Sequence, residues 1–330
     1  MRTTSKKHAY LAIFFMIFSL ITPWSFEMNN QKNYVAGISA FVIWGFFSIP
    51  LRALQNFTAG EILYFRILFS AVTLLLVILL FKRQDVRREW NLLASLPRKE
   101  KNTAIGLTLA GGALLCVNWL TFIYVVNSIN VKTASFAYLI CPVITAVLGY
   151  VLIKEKLTVI QWSAVGLCAV SCVLIGISSA LELGYSFLTA FTYALYLITQ
   201  RKNQGFDRII ALCVQVLFSF FLLNLVFGYL VESIPTSQTF YSVIIIVAVV
   251  FTVVPLFLNL FALNKINSAT IGILMYINPI FNFTIAFLVF KERINFLQVI
   301  GYSIIILALI LFNYQNFRKI QTAVTARRIE

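Results

Sequence analysis

The chain of 330 residues is 61% hydrophobic and only 11% charged, with a mean hydropathy of +0.91 and a formal net charge of +15. A soluble domain is nearer half apolar and a quarter charged, so an ordinary water-soluble globule is excluded. The basic residues gather in short breaks between apolar runs, where they mark membrane orientation, and no nucleic-acid partner is expected.

Residues 1–33 read as an N-terminal extension. Within it Ala9–Phe26 is apolar and follows Arg2, Lys6 and Lys7. As an additional span it would put those cations on the side otherwise poor in basic residues. As a signal peptide it lacks a small-residue cleavage site around Thr22–Phe26. A translation start at Met28 is the preferred reading. Beyond it, apolar stretches of about 20 residues follow one another. They lie at 34–52, 61–81, 104–126, 132–153, 157–177, 183–200, 209–231, 240–262, 268–290 and 294–314, with a charged loop at Lys82–Thr103 and a polar one at Glu232–Gln238. The runs are solid, as in Ile244–Val254, whereas strands of a membrane barrel would alternate polar and apolar residues. The expected fold is therefore an all-α integral membrane protein of ten transmembrane helices, in contact with the lipid bilayer. Residues 316–330 are expected to form a cytoplasmic tail.

Orientation follows from the distribution of Lys and Arg. With the first span starting in the cytoplasm, inside segments carry 18 of these residues and outside segments 5. Such a bias places both ends of the ten-helix core inside.

The chain also repeats itself. Asn127–Gln161 and Asn264–Gln298 align without a gap at an offset of 137 residues, with nine identities that include Pro142/Pro279, Lys154/Lys291, Glu155/Glu292 and Gln161/Gln298. Five spans per half is an odd number, so the second half must enter the membrane from the opposite side. The expected domains are a first five-helix repeat at 34–177 and a second, inverted one at 183–315. Substrate sites of transporters built this way lie near the midplane between the halves.

Catalytic chemistry is poorly supplied. The single histidine is His8, in the extension, and the only aspartates, Asp85 and Asp207, fall in loops. Histidine-based acid–base chemistry and a paired aspartyl centre are excluded from the spans. Cys116, Cys141, Cys168, Cys172 and Cys213 all lie in apolar runs, so neither a disulfide nor a metal site is expected, and no cofactor is called for. Enzymatic activity is not expected.

The second span opens with Glu61 and Arg66. Ionisable groups at the centre of a membrane helix cost about 2.5–3.5 kcal/mol on insertion scales, so these two are candidates for an ion pair, for substrate capture or for proton coupling. Their i,i+5 spacing does not align them on one face, which leaves Lys132 as a candidate partner for Glu61. Pro142, Pro255 and Pro279 are candidate helix kinks; matching interruptions in two halves point to a midplane site. Trp44, Asn118, Trp119, Tyr138, Tyr276 and Asn278 are candidate substrate contacts, since amide and aromatic groups with few charges suit a small amphipathic solute. Interhelical hydrogen bonding is the competing role for each amide. Glu155 and Glu292, in matching turns, are read as caps of the helices that follow them, or as charge pairs that gate the two faces.

Several of these residues together resemble the RarD subfamily of the EamA-type drug/metabolite transporters. They are Trp44-Gly45, Glu61-Ile62, Arg66, Asn118-Trp119, Asn127, Tyr138–Pro142, Gly149, Lys154-Glu155, Gln161-Trp162, Pro255, Tyr276-Ile277-Asn278-Pro279 and Glu292. The resemblance spans about 34–315. It implies two inverted five-helix repeats in a bacterial plasma or inner membrane, and secondary-active or facilitative transport of small metabolites or drugs by alternating access. A proton is a candidate second ligand, and a homodimer is compatible with the pattern. The alternative reading is a membrane scaffold or sensor that transports nothing.

Overall fold

The computed structural model describes residues 31–154, 156–203, 205–263, 274–293 and 295–327. The extension with Met28, Glu155, and the start of the second repeat copy at Asn264–Thr270 lie outside the described residues. Every regular element among the described residues is helical. We number the principal helices α1 (Gln31–Gly45, resuming as Ser48–Ala53), α2 (Ala59–Phe81), α3 (Arg98–Tyr124, continued by a π turn at Val125–Ile129), α4 (Val131–Ile153), α5 (Val159–Ser178) and α6 (Ala180–Lys202). They continue as α7 (Arg208–Leu225), α8 (Gln238–Ala248, a π turn at Val249–Val253, then Val254–Leu263), α9 (Ile277–Leu288) and α10 (Phe296–Arg327).

Eight of these segments, α1 to α8, are long and apolar enough to cross a membrane; α9 and the apolar part of α10, Phe296–Phe312, are shorter. Their outward surfaces carry large bare side chains, such as Phe81 at 79% exposure and Val159 at 82%. An apolar exterior of this extent fits an integral membrane protein, whose lipid-facing side chains have no water to avoid.

Two expectations are corrected. The stretch 82–103, read as a loop, is mostly helical: Arg83–Ser95 forms a separate surface helix and α3 begins at Arg98. Leu96-Pro97 divides them, since the residue before a proline disfavours the helical conformation. The first span is broken between Gly45 and Ser48. Pro50 has no N–H to offer the carbonyl of Phe46, and that oxygen accepts from Ile49 instead, at 3.1 Å.

Helix starts follow local side-chain chemistry. Thr58 with Glu61, and Thr158 with Gln161, form reciprocal capping boxes at α2 and α5. Asn295 and Gln298 exchange the same pair of bonds at α10, at 2.8 and 3.3 Å. The repeated glutamines 161 and 298 thus share a capping role.

Neighbour relations place the elements. Helix α1 packs on α8 and α9, α6 on α3 and α4, α3 on α7, α2 on α8, and α2, α4 and α5 on α7, α9 and α10 respectively. Small residues set the closest crossings. A Cβ at Gly45 would come within 2.5 Å of Phe281 on α9, and one at Gly112 within 2.7 Å of the Gln215 carbonyl on α7.

Candidate functional site

Arg66 sits on α2 with 3% of its surface exposed. Its guanidinium carbon lies over the rings of Phe47 and Trp119, 4.7 Å from each centroid. Its Nε donates to Thr252 Oγ1 on α8 at 3.0 Å, while Nη1 is buried with no hydrogen-bond partner. No carboxylate among the described residues is paired with it. Cation–π contact offsets part of the desolvation cost but supplies no counter-charge.

Pro255 accounts for the local form of α8. A proline has no N–H for the carbonyl four residues back and crowds it, which here is that of Phe251. The helix widens into the π turn Val249–Val253, and the N–H of Val254 reaches Val249. The freed Phe251 carbonyl accepts from Trp44 Nε1 at 3.1 Å. Thr252 donates to the Val247 carbonyl at 3.0 Å, which fixes its oxygen to accept from Arg66. One proline thus shapes two polar contacts between the N-terminal and C-terminal parts of the chain. π turns inside helices are frequent at functional sites.

The other candidate residues divide. Trp119 is on Arg66, and Tyr138 continues the aromatic surface, its ring 5.5 Å from Phe122 and 5.7 Å from Tyr193. Asn118, fully buried, turns away from this centre and ties α3 to α6, donating to the Thr189 carbonyl at 2.8 Å and to Thr192 Oγ1 at 3.3 Å. Asn278 accepts from Asn282 Nδ2 at 2.6 Å, and its backbone carbonyl lies against Gly45, next to Trp44. Tyr276 is buried in the cluster that holds Trp44 at its edge.

Glu61 does not pair with Arg66 or Lys132. Its carboxylate accepts from the Thr58 backbone N–H at 2.9 Å in the capping box. A carboxylate there favours the helix N-terminus, and the sequence TAGE already carries that signature. The prolines also differ: α4 runs through Pro142 as one helix, whereas a turn at Met275–Tyr276 precedes Pro279.

Comparison with known proteins places this geometry. The chain matches the EamA-like transporter family twice, over residues 31–177 and again over 181–314. The chain belongs to the EamA-like transporter family. It is 28% identical to Protein RarD of Streptomyces exfoliatus, over 92% of each chain. It is 27% identical to Protein RarD of Escherichia coli, over 86% of this chain and 94% of that protein. It is also 27% identical to the uncharacterized transporter YojE of Bacillus subtilis, over 88% of this chain and 96% of that one. A crystal structure at 12% identity superposes with a TM-score of 0.58, covering 91% of this chain and 99% of its own. At that identity it shows a shared fold and nothing more.

This EamA-like transporter has a second polar assembly at one end of the bundle, which the sequence did not reveal. Glu292 was expected to cap α10, the helix that follows it, or to form part of a gating charge pair. It caps α4 instead, accepting from Val131 N and Lys132 N at 2.8 and 3.0 Å. Lys291, in the left-handed region at φ 52, turns the chain and Asn295 caps α10 in its place. Lys154, the matching residue, also has positive φ, at 59. Glu292 further pairs with Arg52 at 3.2 Å. Lys132 Nζ donates to Gln298 Oε1 and to the Arg293 carbonyl, each at 3.1 Å, and lies 3.5 Å from Glu182. Glu182 accepts from Asn130 and Gln298, each at 3.0 Å. We call this assembly the latch. It joins the starts of α4 and α6 and the end of α1 to the α9–α10 turn.

At the other end, Lys82 reaches Asp207 at 2.6 Å and Asp85 at 3.0 Å, and Glu89 accepts from the Asp207 backbone at 3.1 Å. The Asp207 hydrogen bond raises the Lys82 pKa above 10.5. Burial pushes Asp207 upward, but the Lys82 bond and the backbone N–H groups of Ile210 and Ile209 outweigh it and hold the carboxyl below 3.8.

Proposed function

We propose that this membrane transporter carries a small organic metabolite or drug by alternating access between two inverted five-helix halves, as a secondary-active or facilitative carrier. One observation carries the reading. Exchanging each helix of α1–α5 with its counterpart in α6–α10 maps the principal pairings between the halves onto one another, while the chain neighbours α5 and α6 pack without such a counterpart. The α1·α8 and α1·α9 contacts become α6·α3 and α6·α4, α3·α7 becomes α8·α2, and α2·α7, α4·α9 and α5·α10 return to themselves. Such exchange is what a twofold axis between the halves requires, and the left-handed Lys154 and Lys291 at matching turns support it.

With the orientation given by the Lys/Arg bias, the latch closes the outer face and the Lys82–Asp207 cluster lies inside. The solute site is the seam where Arg66, Trp119 and Trp44 of the first half meet Phe251 and Thr252 of the second, with Tyr138, Tyr276 and Asn278 towards its edges. Asn118 serves as interhelical support. Glu61 is spent on capping α2, so coupling to a proton through it is not part of the reading. The test is flux of candidate solutes in proteoliposomes with and without a pH gradient. Saturable flux that a locked latch abolishes supports the reading; a protein that moves no solute in either direction overturns it and leaves the scaffold alternative.

A further inference from the structure

We propose that the transported solute is a small carboxylate with a flat apolar body, and that its carboxylate is the missing counter-ion of Arg66. The inference rests on the transport reading above and names its substrate class. Arg66 is 3% exposed and, among the described residues, no acidic side chain forms an ion pair with it. Two other cations set into the bundle are answered: Lys132 by Glu182 and Arg52 by Glu292. A permanently charged group held in the interior without an anion is costly, and a guanidinium does not escape by losing its proton.

The arrangement around it is built for an edge-on acceptor. Phe47 and Trp119 present their faces to the guanidinium carbon, and Thr252 Oγ1 accepts a hydrogen bond from Nε. Buried Nη1 is left with N–H donors and nothing to receive them. A planar carboxylate accepts two parallel N–H bonds from such an edge, a match that a point anion or a neutral carbonyl does not make. Trp119, Phe47 and Tyr138 would then flank the remainder of the solute with aromatic surface, which favours a flat apolar body over a sugar or a hydrated ion. Release is built into the same account: a bound anion stabilises the closed seam, and opening of one face returns water to the guanidinium.

The experiment uses the full chain purified in detergent. Acetate, benzoate and indole-3-acetate are titrated beside their neutral amides, with sodium chloride as the ionic control. Binding is read from the thermal midpoint and from tryptophan fluorescence, since Trp119 lies on Arg66. Benzoate or indole-3-acetate should raise the midpoint with concentration. Its amide should bind at least about tenfold more weakly, since it leaves the charge unanswered. Arg66→Gln should abolish the response, and Arg66→Lys should retain a weak one. Silence of all three carboxylates, equal binding of an amide, an equal response to chloride, or a full response in Arg66→Gln overturns the inference. The comparison of acid with amide needs no variant, so it stands even if the Arg66 variants misfold. If amides bind as well as acids and are moved in proteoliposomes, the anion inference fails while the transport reading holds. If nothing binds and nothing moves, both fail.

Discussion

The latch and the Arg66 centre are built from the same groups and end in opposite states. In the latch Arg52, Lys132, Glu182 and Glu292 each meet an opposite charge, and Glu292 also covers two N–H groups of α4, although Arg52 Nε is buried there without a hydrogen-bond partner. At Arg66 a charge buried more deeply than any in the latch has rings and one hydroxyl but no anion. Saturated polar clusters hold elements together, whereas an unanswered one leaves a place for something that arrives and departs. On the proposed transport reading, closure falls to the first cluster and recognition to the second.

The strongest way to break this contrast is to remove the charge at Arg66. Arg66→Gln should lower transport by about a hundredfold, because losing a buried charge partner of a ligand costs roughly 2–5 kcal/mol. Folding should suffer little, since an uncompensated buried charge also disappears; retained flux would dissolve the distinction between the two centres.

Glu292→Gln should act the other way. It keeps the shape but removes the charge facing Arg52 and weakens two bonds to α4, so stability should fall by about 1.5–3 kcal/mol, read as the denaturation midpoint in detergent. Transport should persist, with labelling of the outer seam increased. Loss of flux without loss of stability would move the latch into the recognition machinery.

A smaller effect sharpens the role of Pro255. Trp44→Phe keeps the ring and leaves the Phe251 carbonyl without its donor, at a cost of about 1–3 kcal/mol. Adding Pro255→Ala restores an N–H that can reclaim that carbonyl, so the double variant should recover part of the loss. Strict additivity of the two changes would show that proline and indole are not linked.

The smallest effect concerns the Lys82–Asp207 cluster. Asp207, held below its ordinary value, contributes stability that is present above about pH 4 and lost as the pH falls through its folded pKa. Lys82, held above its ordinary value, contributes stability that is present below about pH 10.5 and lost as the pH rises through its folded pKa. The pair is partly exposed at the surface, so after solvent screening it is worth at most about 1 kcal/mol. Asp207→Asn should flatten the acid limb of a stability profile by that amount and leave transport at pH 7 unchanged.

Much of the fold was legible because membrane helices declare themselves by length and composition. Boundaries were less so. Pro50 broke α1 by removing one donor, and the charged stretch after α2 was helical because its residues favour helix even where polar. Arg66 and Trp119 were identifiable as polar or aromatic residues in apolar runs. Phe47, Phe251 and Thr252 were not, because they look like ordinary span residues; the signal for Phe251 was indirect, four positions before Pro255. The partner of Glu292 was hidden for a different reason. A cap on a helix 160 residues away in sequence depends on how the halves meet, which local spacing does not encode.

The proposed inversion of the halves underlies both assignments, since it would set the latch outside and put Arg66 on a seam. Lys154→Cys and Lys291→Cys, introduced singly at two exposed turns in a chain whose own cysteines are replaced, can be challenged with a membrane-impermeant maleimide. The account predicts that the Lys291 variant is labelled in intact cells and that the Lys154 variant is labelled only after permeabilisation. Labelling of both from the same face would contradict it.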